Sequence, residues 1–146
     1  MSKLPTRSPT HEEIELARIA AMVLELEDIA QGDQVPLPAL VELAEDRGRP
    51  ASHYIAAIPL ASEFRLAGTA PVTVKICAGN CQRYGALDLI DHLVDRMMKG
   101  TKVAMTPVTC LDRCDHAPAA EVHGAAGQLV LAPATTANLD EAIEAL

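Results

Sequence analysis

Aromatic side chains are almost missing from this chain: it has no Trp, one Phe and two Tyr in 146 residues. Basic residues are scarce as well, with 12 Lys and Arg against 20 Asp and Glu, a formal net charge of −8 and a pI near 5.0. Nucleic-acid binding needs cations that neutralise phosphates and, on single strands, aromatic rings that stack on bases. A chain short of both is not expected to bind nucleic acid. Long apolar runs are missing too. No segment approaches the ~20 uncharged apolar residues of a membrane span, and Met1 to Pro9 lacks the apolar stretch of a signal peptide. The chain is therefore expected in the cytoplasm, without direct membrane insertion. There is no Gly-rich phosphate loop, nucleophile elbow or Ser-His-Asp order. The acidic set Glu12, Glu13, Glu15, Glu25, Glu27 and Asp28 reads as a solvated helix face rather than a catalytic pair.

What is present suffices for one compact domain, or for a helical unit fused to a domain of roughly 80 residues. Thr10-His11-Glu12-Glu13 reads as a capping box, after which Ile14, Ala17, Ala21 and Leu24 share one helical face. That helix is expected to stop near Gln31-Gly32-Asp33. A second helical run, Ala39 to Asp46, follows Pro36-Leu37-Pro38, and a short third one spans Ala51 to Ala57. Gly68-Thr69-Ala70-Pro71 reads as a linker, which divides the chain into a helical unit, residues 1–67, and a second domain, residues 68–146.

In the second domain the pattern turns to a β-type run, Val72 to Ile76. Helical spacing of Leu87, Ile90, Val94 and Met97 predicts a helix from Cys81 to Lys99, closed by Gly100. A strand from Lys102 to Val108 follows. Ala119 to His123 and Gln128 to Leu131 read as a hairpin around Gly124-Ala125-Ala126-Gly127. A last helix runs from Ala137 to Leu146, capped by Thr136 or Asn138. The expected class is α/β, with a small mixed sheet flanked by helices, in the order β-α-β-β-α after an all-helical first third.

Cysteine is rare, but its four copies are arranged. Cys77-Ala78-Gly79-Asn80-Cys81 and Cys110-Leu111-Asp112-Arg113-Cys114 are two pairs, each with three intervening residues and each at the end of an expected strand. In a reducing compartment such cysteines favour metal ligation or redox chemistry over structural disulfides. Adjacent strands ending on one sheet edge would bring the two loops together. In a 2Fe–2S core each iron takes two protein thiolates and two bridging sulfides, so a close pair on each of two facing loops suits it. Gly79-Asn80 tolerates the curled backbone that turns amides toward sulfur. Cys81, at an expected helix start, would gain from the helix dipole, which favours thiolate.

Other readings of the four thiols stay open. They could be buried and unliganded, or they could hold a structural zinc in a non-redox assembly or adaptor subunit, although zinc knuckles serve small domains that cannot otherwise fold. A dithiol oxidoreductase favours Cys-x-x-Cys at a helix start, which this chain lacks. His116 and His123 flank the second pair, and Arg83 and Arg113 lie close to ligand candidates. These read as loop histidines and as solvated or partner-facing cations. Met97-Met98 reads as helix core and surface.

The stretches Val74-Lys75-Ile76-Cys77 through Cys81 to Tyr84-Gly85-Ala86, and Cys110-Leu111-Asp112-Arg113-Cys114-Asp115-His116-Ala117-Pro118, resemble the thioredoxin-like 2Fe–2S ferredoxins. The resemblance is strongest to the small iron–sulfur subunit of respiratory NADH dehydrogenase and to the gamma subunit of NAD-dependent formate dehydrogenase. Leu37-Pro38-Ala39-Leu40 to Phe64-Arg65-Leu66 resembles the helical unit that precedes the ferredoxin domain there. This chain differs in three ways: three rather than four residues within the first cysteine pair, Pro59-Leu60 in place of an aromatic pair, and a shorter segment between the pairs. The resemblance implies a thioredoxin-like domain with Cys77 and Cys81 on one iron and Cys110 and Cys114 on the other. It also implies a flavin- and NAD-binding partner subunit that holds the FMN and NAD sites, this chain being an electron-transfer subunit with no complete active site of its own.

Overall fold

In a computed structural model of the chain, residues 14–79, 82, 85–109, 111 and 117–146 are described. Helix α1, Leu16–Glu27, buries Ile19, Met22, Val23 and Leu26, an i, i+3, i+4, i+7 stripe. Of the face expected from Ile14, Ala17, Ala21 and Leu24, only Ile14, ahead of the helix, is buried: both alanines are exposed, and Leu24 is 64% exposed. Burial gain scales with apolar area, so the stripe of four larger side chains takes the core and the alanine-rich side takes the water. The Thr10–Glu13 capping box lies outside the described residues. Within them, α1 starts after Glu15, whose side chain makes no cap bond.

Strand β1, Gln34–Val35, leads into α2, Leu37–Arg47, which follows Pro36 and ends at Gly48 in a left-handed conformation, φ 66°. Helix α3, Ala51–Ala61, runs four residues past the expected end. Pro59 falls in its last turn, and the carbonyl of Ile58 accepts from both the amide and the hydroxyl of Ser62, which closes the helix. Strand β2, Arg65–Leu66, pairs in parallel with β1, Gln34 against Arg65 and Val35 against Leu66. The first third is therefore not purely helical. Two-residue strands carry too little pattern to be read in advance.

The main sheet has four strands in the order β4-β3-β5-β6: β3 Val72–Cys77, β4 Val103–Val108, β5 Ala120–Gly124 and β6 Gly127–Leu131. β3 and β4 are parallel, joined over the sheet by α4, Ala86–Met98. β5 runs antiparallel to both β3 and β6, and the β5–β6 turn is only Ala125-Ala126, because Gly124 and Gly127 pair with each other. The class is thus α/β with a small mixed sheet. Helix α4 opens at Ala86 rather than Cys81, since Gly85 stands before it at φ 104°, a left-handed conformation that interrupts a helix. The last helix, α5, is Thr136–Ala145, and its cap is Thr135. The Thr135 hydroxyl accepts from the Asn138 amide at 3.1 Å, and the Asn138 side chain accepts from the Thr135 amide at 2.6 Å.

Val72, Val74 and Ile76 are buried on one face of β3, while Thr73 and Lys75 lie on the more open face. The buried face joins α1, α3, α4 and α5 in one apolar cluster, so the residues on both sides of Gly68–Pro71 share a core. Polar contacts tie the layers. Buried Ser52 on α3 donates its amide and hydroxyl to Asp91 of α4 at 3.0 and 2.8 Å. His92 and Arg96 of α4 both reach Asp140 of α5. Burial works against ionisation of Asp140, but the hydrogen bonds from His92 and Arg96 outweigh it and lower its pKa. Glu25, expected on a solvated face, is instead half-buried and accepts from Tyr54 at 2.8 Å and Arg49 at 3.0 Å, with Arg47 at 3.3 Å. No helix among the described residues is long and apolar enough to cross a membrane.

Two expectations follow for stability. Asp91→Ala strands the buried donors of Ser52 and should cost about 2–3 kcal/mol in urea denaturation, with Asp91→Asn costing less. An Asp91→Ala protein as stable as the parent would show that this tie carries nothing. The second concerns His53 on α3. Desolvation lowers its pKa, assisted by Arg18 and Arg49 and opposed by Asp91, and its buried Nδ1 has no hydrogen-bond partner among the described residues. The unfolded chain therefore takes up this proton at a higher pH than the folded one. The stability tied to neutral His53 is present above its ordinary value of 6.5 and lost as pH falls below it toward the lowered folded pKa. Stability should drop on acidification from about pH 7.5 to 5.5, and His53→Gln should flatten that slope. An unchanged slope would contradict this assignment.

Candidate metal centre

Because β3 and β4 are parallel neighbours, both end on the same edge of the sheet, with Cys77 directly beside Val108. Cys77 is the last residue of β3, and Cys110 follows the last residue of β4 by two positions. The two cysteine-bearing segments therefore leave the sheet side by side. They also touch. The Ala78 amide donates to the Val108 carbonyl at 2.7 Å, the Cys77 amide donates to the Ala119 carbonyl at 3.2 Å, and Cys77 Sγ lies 3.5 Å from the Thr109 carbonyl.

Cys77 is 2% exposed. It does not join the main core but forms a small separate cluster with Ala86 and Ala117, against which Leu111 packs. Each of these residues adjoins a different part of the cysteine pattern: Ala86 is five positions past Cys81, Leu111 follows Cys110, and Ala117 is three positions past Cys114. Cys81, Cys110 and Cys114 themselves lie outside the described residues, as do His116, Arg83 and Arg113. Among the described residues no three His, Cys, Asp or Glu side chains are grouped closely enough to hold a metal ion. His123 is not gathered to this edge. It pairs with Thr73, four residues up β3 from Cys77, which at the strand rise is about 13 Å away. Its Nε2 faces Glu121 at 3.4 Å.

No family model matches the chain, and no curated protein does either. The helix-dipole contribution expected at Cys81 falls on a residue outside the described ones.

Two residues at this edge were not legible in advance as site residues of their kind. Gln82 is 2% exposed, and its side chain spans the gap between the first cysteine loop and the start of α1. Its Nε2 donates to the Ala78 carbonyl at 2.6 Å, while its Oε1 accepts from the Ile14 amide at 3.0 Å. A single Gln beside a cysteine has no spacing to betray it. Gly79 was read for its tolerance of a curled backbone, but the constraint is closeness: a Cβ there would run into the carbonyl oxygen of Thr109. The absence of a side chain lets the two loops meet. A cavity of about 450 Å³ opens beside them, bordered by Ile14, Leu16, Ile19, Leu60, Gly79 and Gln82.

Gly79→Ala should accordingly force the loops apart and cost about 1–3 kcal/mol of stability, read as a lower urea midpoint. An unchanged midpoint would show that the approach of Gly79 to Thr109 is not a constraint.

Proposed function

We propose that this chain is a thioredoxin-like 2Fe–2S protein that carries its cluster on Cys77, Cys81, Cys110 and Cys114 and passes single electrons to or from a flavin- and NAD-binding partner subunit of the NADH dehydrogenase or formate dehydrogenase type. The observation that carries the reading is the parallel β3–β4 pairing, which ends both strands on one edge with the two Cys-x₃-Cys segments leaving it together. Covalent geometry adds to it: Cys81 is two residues from Gly79 and Cys110 is one from Thr109, and consecutive Cα atoms are about 3.8 Å apart. The β-α-β-β-α course from Val72 to Ala145 and the sheet order β4-β3-β5-β6 are in keeping with a thioredoxin-like domain.

The donor set fits the group. Four thiolates satisfy two tetrahedral irons bridged by sulfide, and a bound cluster of this kind supplies one-electron transfer at low potential. The chain's own part is to hold and shield. The buried Cys77 fixes one sulfur in an apolar cluster, Gly79 lets the second loop close in, and Gln82 ties the first loop to the helical unit. With no nucleotide-binding fingerprint in the sequence, two-electron hydride chemistry is assigned to the partner subunit.

The division of labour is tested by mixing. The isolated chain should oxidise neither NADH nor formate, while EPR after addition of the flavin-bearing subunit and its electron donor should show rapid reduction of its cluster. Changing Cys110 or Cys114 to Ala should remove most of the iron and the signal, because an open iron position is prone to loss. Robust NADH oxidation by the chain alone, or full iron content in either variant, would refute the reading.

A further inference from the structure

Among the described residues only Ser52 and Gln82 are both polar and buried. A polar side chain is kept inside a core when its hydrogen bonds are made there, so the partners of Gln82 indicate what it does. Its main-chain amide donates to the Gly79 carbonyl at 3.0 Å and its Nε2 to the Ala78 carbonyl at 2.6 Å, so both bonds return to the residues just after Cys77. Its Oε1 leaves the loop and accepts from the Ile14 amide at 3.0 Å, 68 positions earlier in the sequence. The loop so held lies in turn against the second cysteine segment, where Gly79 has no room for a Cβ beside the Thr109 carbonyl.

The far end of this link is anchored. Ile14 stands two positions ahead of α1 and is 7% exposed, in the same apolar cluster as Ile19 and Met22, so its amide moves with the seating of α1. Packing alone does not join the helix to the loop. A cavity of about 450 Å³ is bordered by Ile14, Leu16 and Ile19 as well as by Gly79 and Gln82, and the hydrogen bond spans what the side chains leave open. A shift at either end breaks it, and each break strands an amide oxygen on a side chain that solvent barely touches, at the desolvation cost of that group. Two positions that share such a bond bias each other equally.

We infer that Gln82 couples occupancy of the cysteine site to the seating of the helical unit: a filled site fixes the first loop and, through Oε1, the start of α1, while displacement of α1 loosens the loop and its hold on iron. The inference rests on the cluster-binding function proposed above and adds a means of regulating that site. Whatever shifts α1 acts on the cysteine loop without touching a ligand.

Amide hydrogen exchange on the full chain tests this, read anaerobically with the cluster present and again after a chelator has removed it under reducing conditions. In the parent, the α1 amides from Ile19 to Val23 should exchange about fivefold or more faster once the cluster is gone. Gln82→Met keeps a similar volume and drops both side-chain bonds. Ile14→Pro removes the N–H at the other end and leaves the cysteine loop as it is, so it carries the test if Gln82→Met takes up no iron. In the variants α1 should no longer respond to the cluster, and the chelator concentration that strips half the iron should fall by about the same factor, as reciprocity requires. An α1 that exchanges alike with and without the cluster in the parent, or a response that persists in both variants, would overturn the coupling while leaving the cluster in place. A parent chain that binds no iron would instead refute the function proposed above, and the coupling with it.

Discussion

The structure depends on the parallel pairing of β3 with β4. Parallel neighbours need a crossover, and here α4 provides it and brings its apolar stripe, Leu89, Ile90 and Leu93 among others, onto the sheet. The same pairing has a second effect. Strands that run the same way end on the same edge, so segments more than thirty positions apart in sequence, around Cys77 and Thr109, come within hydrogen-bonding distance. An antiparallel arrangement would send those segments to opposite ends of the sheet. Fold and candidate centre are thus two outcomes of one ladder of backbone hydrogen bonds.

Packing around that edge is specialised. The main core reaches Ala78 at this edge, while Cys77, Ala86 and Ala117 form a small cluster of their own. Alanine and glycine dominate here because bulk would separate the loops. The helical unit is not an appendage: Gln82 joins the first loop to the backbone of Ile14, and Ser52 joins α3 to α4 through Asp91. We read this as the means by which helices far from the cysteines in sequence stiffen the loop that bears two of them, which is what preorganised ligation requires.

Long periodic segments were legible in the sequence, and short or context-dependent ones were not. The strands from Val72 and Val103 and the helix over Leu87, Ile90 and Val94 follow from period-2 and period-3.6 patterns, and each is found within a few residues of its expected span. The buried face of α1 was misread because alanine counts as apolar in a pattern but contributes little area, so Ile19, Met22, Val23 and Leu26 decide the orientation. β1 and β2 are too short for any periodicity, and Glu25 became a half-buried acceptor only through Tyr54 and Arg49, which are distant in sequence. At the candidate site, Cys77 closes β3 beside the end of β4, as its place after an expected strand implied, while the other three cysteines lie outside the described residues. The roles of Gly79 and Gln82 rest on contacts with Thr109 and Ile14 that no local pattern encodes.

The central claim is that the four thiols converge on one two-iron centre rather than on zinc or on nothing. Its most direct test is the metal and acid-labile sulfide content of anaerobically purified chain, read together with its visible spectrum. The account predicts a red-brown protein with two irons and two sulfides per chain. One zinc per chain, or a folded colourless protein without metal, would contradict it.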